Sequence, residues 1–236
     1  MGTLSALEGD TAQALEIPYR EVAQAVTAAA VLHVDETSWR EAGQLQWLWT
    51  AVGRQFAFYR VDRRRNRAAL AGLLGLEDSE DLPAGVLHTD RYRAYGHLPV
   101  EQRSFCWAHL IREFQAMYER GGIDGVVGSW LLDGAAHILG LWHTLWEGTQ
   151  TREAFLAALS VAQTEFRIPL GWGQEKGTAA TQTLCRDLLQ RWEYLWTWAR
   201  GKGASPPTTG RSGPCGPRYS GAKAASDTRR NGAGTT

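Results

Sequence analysis

Three cysteines in 236 residues, none in a Cys-x-x-Cys pair, are too few for a disulfide framework. Cys106, Cys185 and Cys215 therefore point to a reducing compartment. No apolar run approaches the roughly 18 residues of a membrane span, so no membrane partner is expected. The opening MGTLSALEGDTAQAL lacks a basic region followed by an apolar stretch. No secretory signal is read there, and the expected location is cytoplasmic. Net charge is also missing, with 25 Lys and Arg against 25 Asp and Glu. Neutrality does not announce a nucleic-acid binder, nor does it exclude one, because local patches do the binding. The balance is uneven along the chain. Residues 201–236 hold six of the basic and one of the acidic residues, leaving 19 and 24 in residues 1–200. The last absence is the sharpest: after Arg200 there is no Leu, Ile, Val, Phe, Met or Trp. Such a stretch has nothing to bury and is expected to be disordered.

The rest of the chain is different. With 44% apolar and 21% charged residues, a packed core is expected. All eleven tryptophans lie before Arg200. Residues 4–29 carry apolar side chains at helical spacing. Three short β-branched and aromatic runs follow, VLHVDET (31–37), LQWLWTAV (45–52) and QFAFYRVD (55–62). Gly53-Arg54 reads as the tight turn of a hairpin. Arg65–Leu76 predicts a short helix, and PAGVLHTD (83–90) and RSFCWAH (103–109) two further strands. A helix is expected from Leu110 to about Arg120, then an almost wholly helical region over 126–200, interrupted at Pro169 and Gly171–Gly177. A hairpin feeding strands separated by helices gives an α/β fold, a mixed sheet flanked by helices, followed by a large all-helical region.

Two acids stand out by position. Asp35 closes the first strand and Asp90 the fourth, each in the pattern His-x-Asp: His33-Val34-Asp35 and His88-Thr89-Asp90. Residues i and i+2 of a strand share a face, so each His points with its Asp. If the strands are neighbours, the carboxylates converge at one edge of the sheet. Divalent cations normally hold such carboxylates together, and hard Mg²⁺ or Mn²⁺ suits oxygen ligands. Two such ions about 4 Å apart activate an attacking oxygen and stabilise a leaving one in phosphoryl transfer. The competing account is that both acids only end strands and cap turns. His33 and His88 read as packed or supporting residues rather than ligands. Glu36 should face the opposite side from Asp35.

A second cluster is CWAH (106–109) with Arg112 one turn later. No further ligands stand at zinc spacing. Cys106 could serve as a nucleophile, but no orienting triad is visible, and the alternative is a buried Cys and Trp with His109 and Arg112 facing a polar site. Arg91, Arg93, His109 and Arg112 are candidate DNA contacts, the arginines through phosphates. Arg63-Arg64-Arg65 and Arg67 form a basic run, either a solvated turn or a DNA contact. The tryptophans of 130–198 read as helix packing rather than a base-stacking platform.

HVDETSWRE, LWTAV, HTDRYRAY and CWAHLIREF, in this order, resemble the transposases of insertion-sequence family sixty-six. The similarity runs from about Met1 to Arg200. It implies an RNase H-like fold and the two-metal chemistry of DDE transposases. Water opens a phosphodiester at a transposon end, and the freed 3′-hydroxyl attacks target DNA. Asp35 and Asp90 match the first two acids of the triad and, by resemblance, ligate Mg²⁺ or Mn²⁺. The implied partners are transposon-end and target DNA, with self-association or pairing with full-length transposase. Residues 1–30 become a helical lead-in, 31–120 an incomplete catalytic core, 121–200 a helical insertion and 201–236 a tail. Family members carry upstream DNA-binding sequence, so truncation before Met1 is expected.

The third acid is implied in a stretch close to E-P-T-N-N-x-A-E-R-A-L-R-P-x-V-L-W-R-K, directly after a segment like LWTWAR. Here GKGASPPTT follows Arg200, and no Glu occurs after Glu193. The tail has an explanation at the level of codons. Ser205–Lys223 can be encoded so that starting one base earlier spells Glu-Pro-Thr-Asn-Asn-Gly-Ala-Glu-Arg-Ala-Leu-Arg-Pro-Ala-Val-Leu-Trp-Arg-Lys. The expectation is a shift of frame between about Trp198 and Ser205. The alternatives are a genuine basic tail used on DNA and a programmed frameshift that sometimes yields a longer protein. The frame shift predicts a chain lacking its third acid and inactive alone, with an apolar sheet face left exposed. Two rival functions stand beside it: a non-catalytic module binding DNA or transposase, and an RNase H-like nuclease unrelated to transposition.

Overall fold

A computed structural model describes residues 2–200, with side chains from Ala6 onward. The tail 201–236 lies outside the described residues. Five strands form one mixed sheet in the order β3-β2-β1-β4-β5. They are β1 (Val31–Glu41), β2 (Gln44–Val52), β3 (Ala57–Asp62), β4 (Val86–Thr89) and β5 (Arg103–Phe105). The first three pair antiparallel, while β4 and β5 add parallel to β1. This is the α/β mixed sheet with a helical region that the sequence predicts.

Alternation along β1 sorts its side chains. Leu32 and Val34 are buried on one face with Trp49, Ala51, Phe58 and Leu87, against Leu70, Leu73 and Leu74. Those leucines belong to the helix α2 (Arg67–Leu74). Asn66 caps it by accepting from Ala69 N at 3.1 Å, and Gly75 at φ 69° ends it. The 26-residue helix α1 (Gly2–Thr27) precedes the sheet. It packs near its C-terminal end, where Val26 is buried and Tyr19 lies against Phe58, with ring centroids 4.8 Å apart.

The other face carries His33 and Asp35, then Leu48, Thr50 and Val52, then Tyr59 and Val61, in register across β1, β2 and β3. Tyr59 is 53% and Val61 41% exposed. An apolar sheet face thus lies open beside Asp35.

The helical region builds its own core. It comprises α3 (Trp107–Arg120), α4 (Gly122–Trp146), α5 (Arg152–Lys176), α6 (Ala179–Gln190) and the last turn α7 (Thr197–Arg200). Phe114, Leu131, Ile138, Phe155, Phe166 and Leu170 are all at most 2% exposed within it. Helices α3 and α4 meet closely at Gly128, where a Cβ would stand 2.4 Å from Tyr118 N. Residues 192–199 close the region over β5. Trp107 Nε1 donates to Leu195 O at 3.1 Å, and Thr197 Oγ1 donates to Val100 O at 2.8 Å.

Several boundaries differ from the sequence reading. Strand β1 runs on to Glu41, so Asp35 lies inside it rather than at its end. The turn at Gly53-Arg54 widens to residues 53–56, closed by Gly53 N donating to Phe56 O at 2.9 Å. The fifth strand stops at Phe105, and α3 begins at Trp107 with Cys106 at its cap, so CWAH is a strand-to-helix junction. Pro169 does not break its helix: α5 runs through it to Lys176. A proline removes one helical hydrogen bond. Here Pro169 is buried between Phe166 and Leu170, and that packing holds the helix together. The break falls at Gly177, where a Cβ would stand 2.5 Å from Thr181 Cγ2.

A candidate active site at the edge of the sheet

Strands β1 and β4 are neighbours, with His33 opposite His88. Two residues further along, Asp35 and Asp90 occupy equivalent positions just past the shared ladder. Adjacent strands lie about 4.8 Å apart, so both acids share one edge. The rings of His33 and His88 stack below them, centroids 4.6 Å apart. Burial lowers the His33 imidazole to about 4 and holds His88 well below its usual value, where the charge of His33 adds to the effect. Both are packing residues, neutral near pH 7.

Asp35 is half-open, its side chain 45% exposed. Its Oδ1 accepts from Glu36 N at 3.0 Å, and its Oδ2 stands 3.7 Å from His109 Nε2. Asp90 Oδ1 accepts from Tyr92 N at 2.9 Å. Its carbonyl is fixed by Arg103 Nη2 at 2.9 Å. Arg103 is 1% exposed and also donates to Thr89 Oγ1 and Tyr95 O. Burial, and then the charge of Arg191, draws its guanidinium down to about 10.

Glu36 faces away, as alternation requires. It is buried, accepts from Tyr95 Oη, and pairs with Arg65 at 2.8 Å. Burial raises its carboxyl, and the charge of Asp90 raises it further, against the hydrogen bonds from Tyr95 and Arg65. Burial also raises the Tyr95 phenol well above its usual value, helped by Glu36, Asp90 and Asp35. Asp35 and Asp90 therefore stand as two carboxylates at this edge, while Glu36 is matched by Arg65 on the other face.

Beside Asp90 lies a cleft of about 480 Å³ lined by Arg65, Arg91, Cys106, His109, Arg112 and Glu113, among others. Arg91 is held by Glu113 and Asp187, each at 2.5 Å, and so braces the sheet edge against α3 and α6. Arg93 and Arg112 are exposed and form no ion pair among the described residues. Burial pushes the Cys106 thiol up, which disfavours the thiolate a nucleophile needs. Within the basic run, Arg65 stacks over Trp47 and Tyr92, Arg67 pairs with Glu80, and Arg64 with Asp62.

Sequence reasoning missed Arg103. The signal was an arginine inside a three-residue strand otherwise fully buried. Among the described residues, no group of three or more His, Cys, Asp or Glu is placed to hold a metal. Two carboxylates do suit Mg²⁺, which takes one or two and fills its other positions with water and substrate phosphate.

The family model of the IS66 transposases matches residues 1–197. The chain belongs to the IS66 transposase family. That membership supports a role in DNA transposition and implies DNA as the partner. No curated protein and no solved structure matches the chain. Among the described residues, no helix is long and apolar enough to cross a membrane.

Proposed function

We propose that residues 31–120 are the catalytic core of an IS66 transposase, with 121–200 a helical insertion, and that Asp35 and Asp90 are two of its three catalytic acids. The observation that carries this is their equivalent register on adjacent parallel strands. Asp35 and Asp90 would hold Mg²⁺ or Mn²⁺, which supplies Lewis-acid stabilisation of a phosphodiester under attack. Arg103 fixes the backbone of Asp90, and His109 steadies the carboxylate of Asp35. Arg93 and Arg112 are the phosphate contacts, while Arg91 acts as a brace with its carboxylates in place. The cytoplasm is the proposed location, and a second transposase chain the proposed protein partner.

The chain alone is proposed to be inactive. The family match ends at residue 197, and after Glu193 no Glu occurs. This supports a shift of frame between about Trp198 and Ser205. Losing one member of a site that acts as a unit costs orders of magnitude in rate.

The test begins with the gene, read in three frames past codon 195. An open earlier frame spelling Pro-Thr-Asn-Asn-x-x-Glu-Arg supports the reading, and a closed one defeats it. The frame-restored protein is expected to cleave transposon-end DNA with Mg²⁺ or Mn²⁺, at least ~10³-fold faster than its Asp35→Ala variant. Robust cleavage by the present chain, abolished by Asp35→Ala, would sink the claim of inactivity. DNA binding that persists in the Asp35→Ala, Asp90→Ala double variant is expected on either account. Inhibition of an active transposase by this chain would favour the binding-module reading.

A further inference from the structure

The hairpin β1–β2 outruns the rest of the sheet. Strand β4 pairs with β1 only as far as His33, and β3 pairs with β2 only as far as Trp47. Beyond them, Trp39↔Gln46, Arg40↔Leu45 and Glu41↔Gln44 continue as a bare two-stranded ribbon. Its turn is tight, with Ala42 at φ 47° and Gly43 at φ 79°. Two successive positive φ values match the right-handed twist of a hairpin and make the ribbon stiff. Gln46 donates to Glu41 across it, and Arg40 reaches Gly43 O at 3.4 Å.

Trp39 stands on this ribbon. It lies at an even spacing from Asp35, hence on the same face, four residues beyond it. At about 3.3 Å per residue, it sits roughly 13 Å from the acid. The indole is 45% exposed and meets no other ring among the described residues. Contrast Trp47, the last β2 residue paired with β3, which is covered by Arg65. An uncovered tryptophan on a rigid arm loses little conformational freedom on binding a flat partner.

Two further features select the partner. Trp39 is on the face of the candidate acids, so anything bound at Asp35 and extending along β1 must pass it, while Arg40, one residue on, points to the opposite face. Arg63, just past the end of β3, is exposed and forms no ion pair among the described residues. An exposed ring on the face of the acids fits the base of a nucleotide whose phosphate is held at the site. We infer that Trp39 is a stacking residue for an unpaired base of DNA, a few nucleotides from the phosphate held at Asp35 and Asp90. This rests on the proposed function of the site and adds to it a demand for locally opened DNA.

The full 236-residue chain can be tested as it is. Binding is measured by fluorescence anisotropy to a blunt duplex and to the same duplex with a single-stranded arm. A second set of arms carries a fluorescent adenine analogue at successive positions. The chain is expected to prefer the armed duplex about 5- to 150-fold, the range of one stacked base. Trp39→Ala should abolish that preference while leaving duplex binding intact, and Trp39→Phe should keep most of it. Quenching of the analogue should peak at one position and vanish in Trp39→Ala. An unchanged preference in Trp39→Ala overturns the inference. Equal affinity of the wild-type chain for both DNAs overturns it too. A change of oligomeric state in Trp39→Ala, with DNA preference intact, would make the arm a protein contact instead. If the chain binds neither DNA, the DNA reading of the site fails and the inference falls with it.

Discussion

The sheet half and the helical half of this chain pack their aromatic residues differently. In the helical half, Trp107, Trp196 and Trp198 are at most 1% exposed and interlock with Phe155, Phe166 and Trp142. In the sheet half Trp49 and Tyr95 are fully buried as an edge-to-face pair, while Trp39 and Tyr59 face outward together with Val61. The helical half interlocks most of its rings in one core and leaves Trp130, Trp146 and Trp172 at its rim. The other keeps a flat apolar surface on the face that bears Asp35. Helices can bury an apolar stripe against one another, but a sheet has two faces and needs a layer on each. Here α2 covers one face, and residues 192–199 cover the other only near β5.

The largest effect should come from the interlocked core of the helical half. Trp196→Ala removes a ring that meets Trp107, Phe166 and Trp192. It is expected to cost about 3–5 kcal/mol in chemical denaturation. A loss below about 1 kcal/mol would mean that the helical core is looser than its packing indicates.

Acid should separate the halves next, in buffer free of divalent ions. His33 ionises near 4 in the folded chain, against about 6.5 unfolded. The unfolded state therefore takes up the proton first, and stability falls as pH drops from about 6.5 towards 4, by an amount on the order of 2 kcal/mol. His88 acts in the same direction. The helical half contains Asp124, 2% exposed. Burial alone would raise its carboxyl, but hydrogen bonds from Thr178 N, Thr178 Oγ1 and Arg120 hold it far below the usual range. Its contribution is complete above about 3.9 and is lost only as pH falls below that value. Amide exchange should show the strands loosening between pH 6.5 and 4, with α4 and α6 protected until lower pH. Simultaneous loss in both halves would show that the two cores unfold as one unit.

The smallest effect concerns the open face. Tyr59→Lys with Val61→Lys should change stability by no more than about 0.5 kcal/mol. Binding of a hydrophobic dye should fall clearly, because the apolar patch is broken. Strong destabilisation would mean that the face is covered in solution.

Much of the sheet half was legible in the sequence because a period of two is local. Alternation alone placed Asp35 with His33 and set Glu36 on the other side. The β1–β4 neighbourhood was only conditional, since strand order is decided by packing far along the chain. Arg91 read as a phosphate contact, and its ties to Glu113 and Asp187 could not be seen, because 96 residues separate Arg91 from Asp187. Arg103 was invisible for a related reason: its three acceptors are a side chain and two carbonyls that converge only after folding. Pro169 misled because a local rule was overridden by burial.

The clasp of residues 192–199 over β5 also has a meaning in time. Ser104, Trp107 and Val100 are synthesised roughly 90 residues before Tyr194, Leu195 and Thr197, their hydrogen-bond partners. During translation at about 5–20 residues per second, this side of the sheet waits some seconds for its cover. A ribosome that leaves the frame before Trp192 would release a chain with β5 uncovered and no way to close the helical core. A ribosome that leaves it between Trp198 and Ser205 has already delivered every residue of the clasp. The proposed slip thus falls just past the point at which the described fold becomes independent of what is translated next.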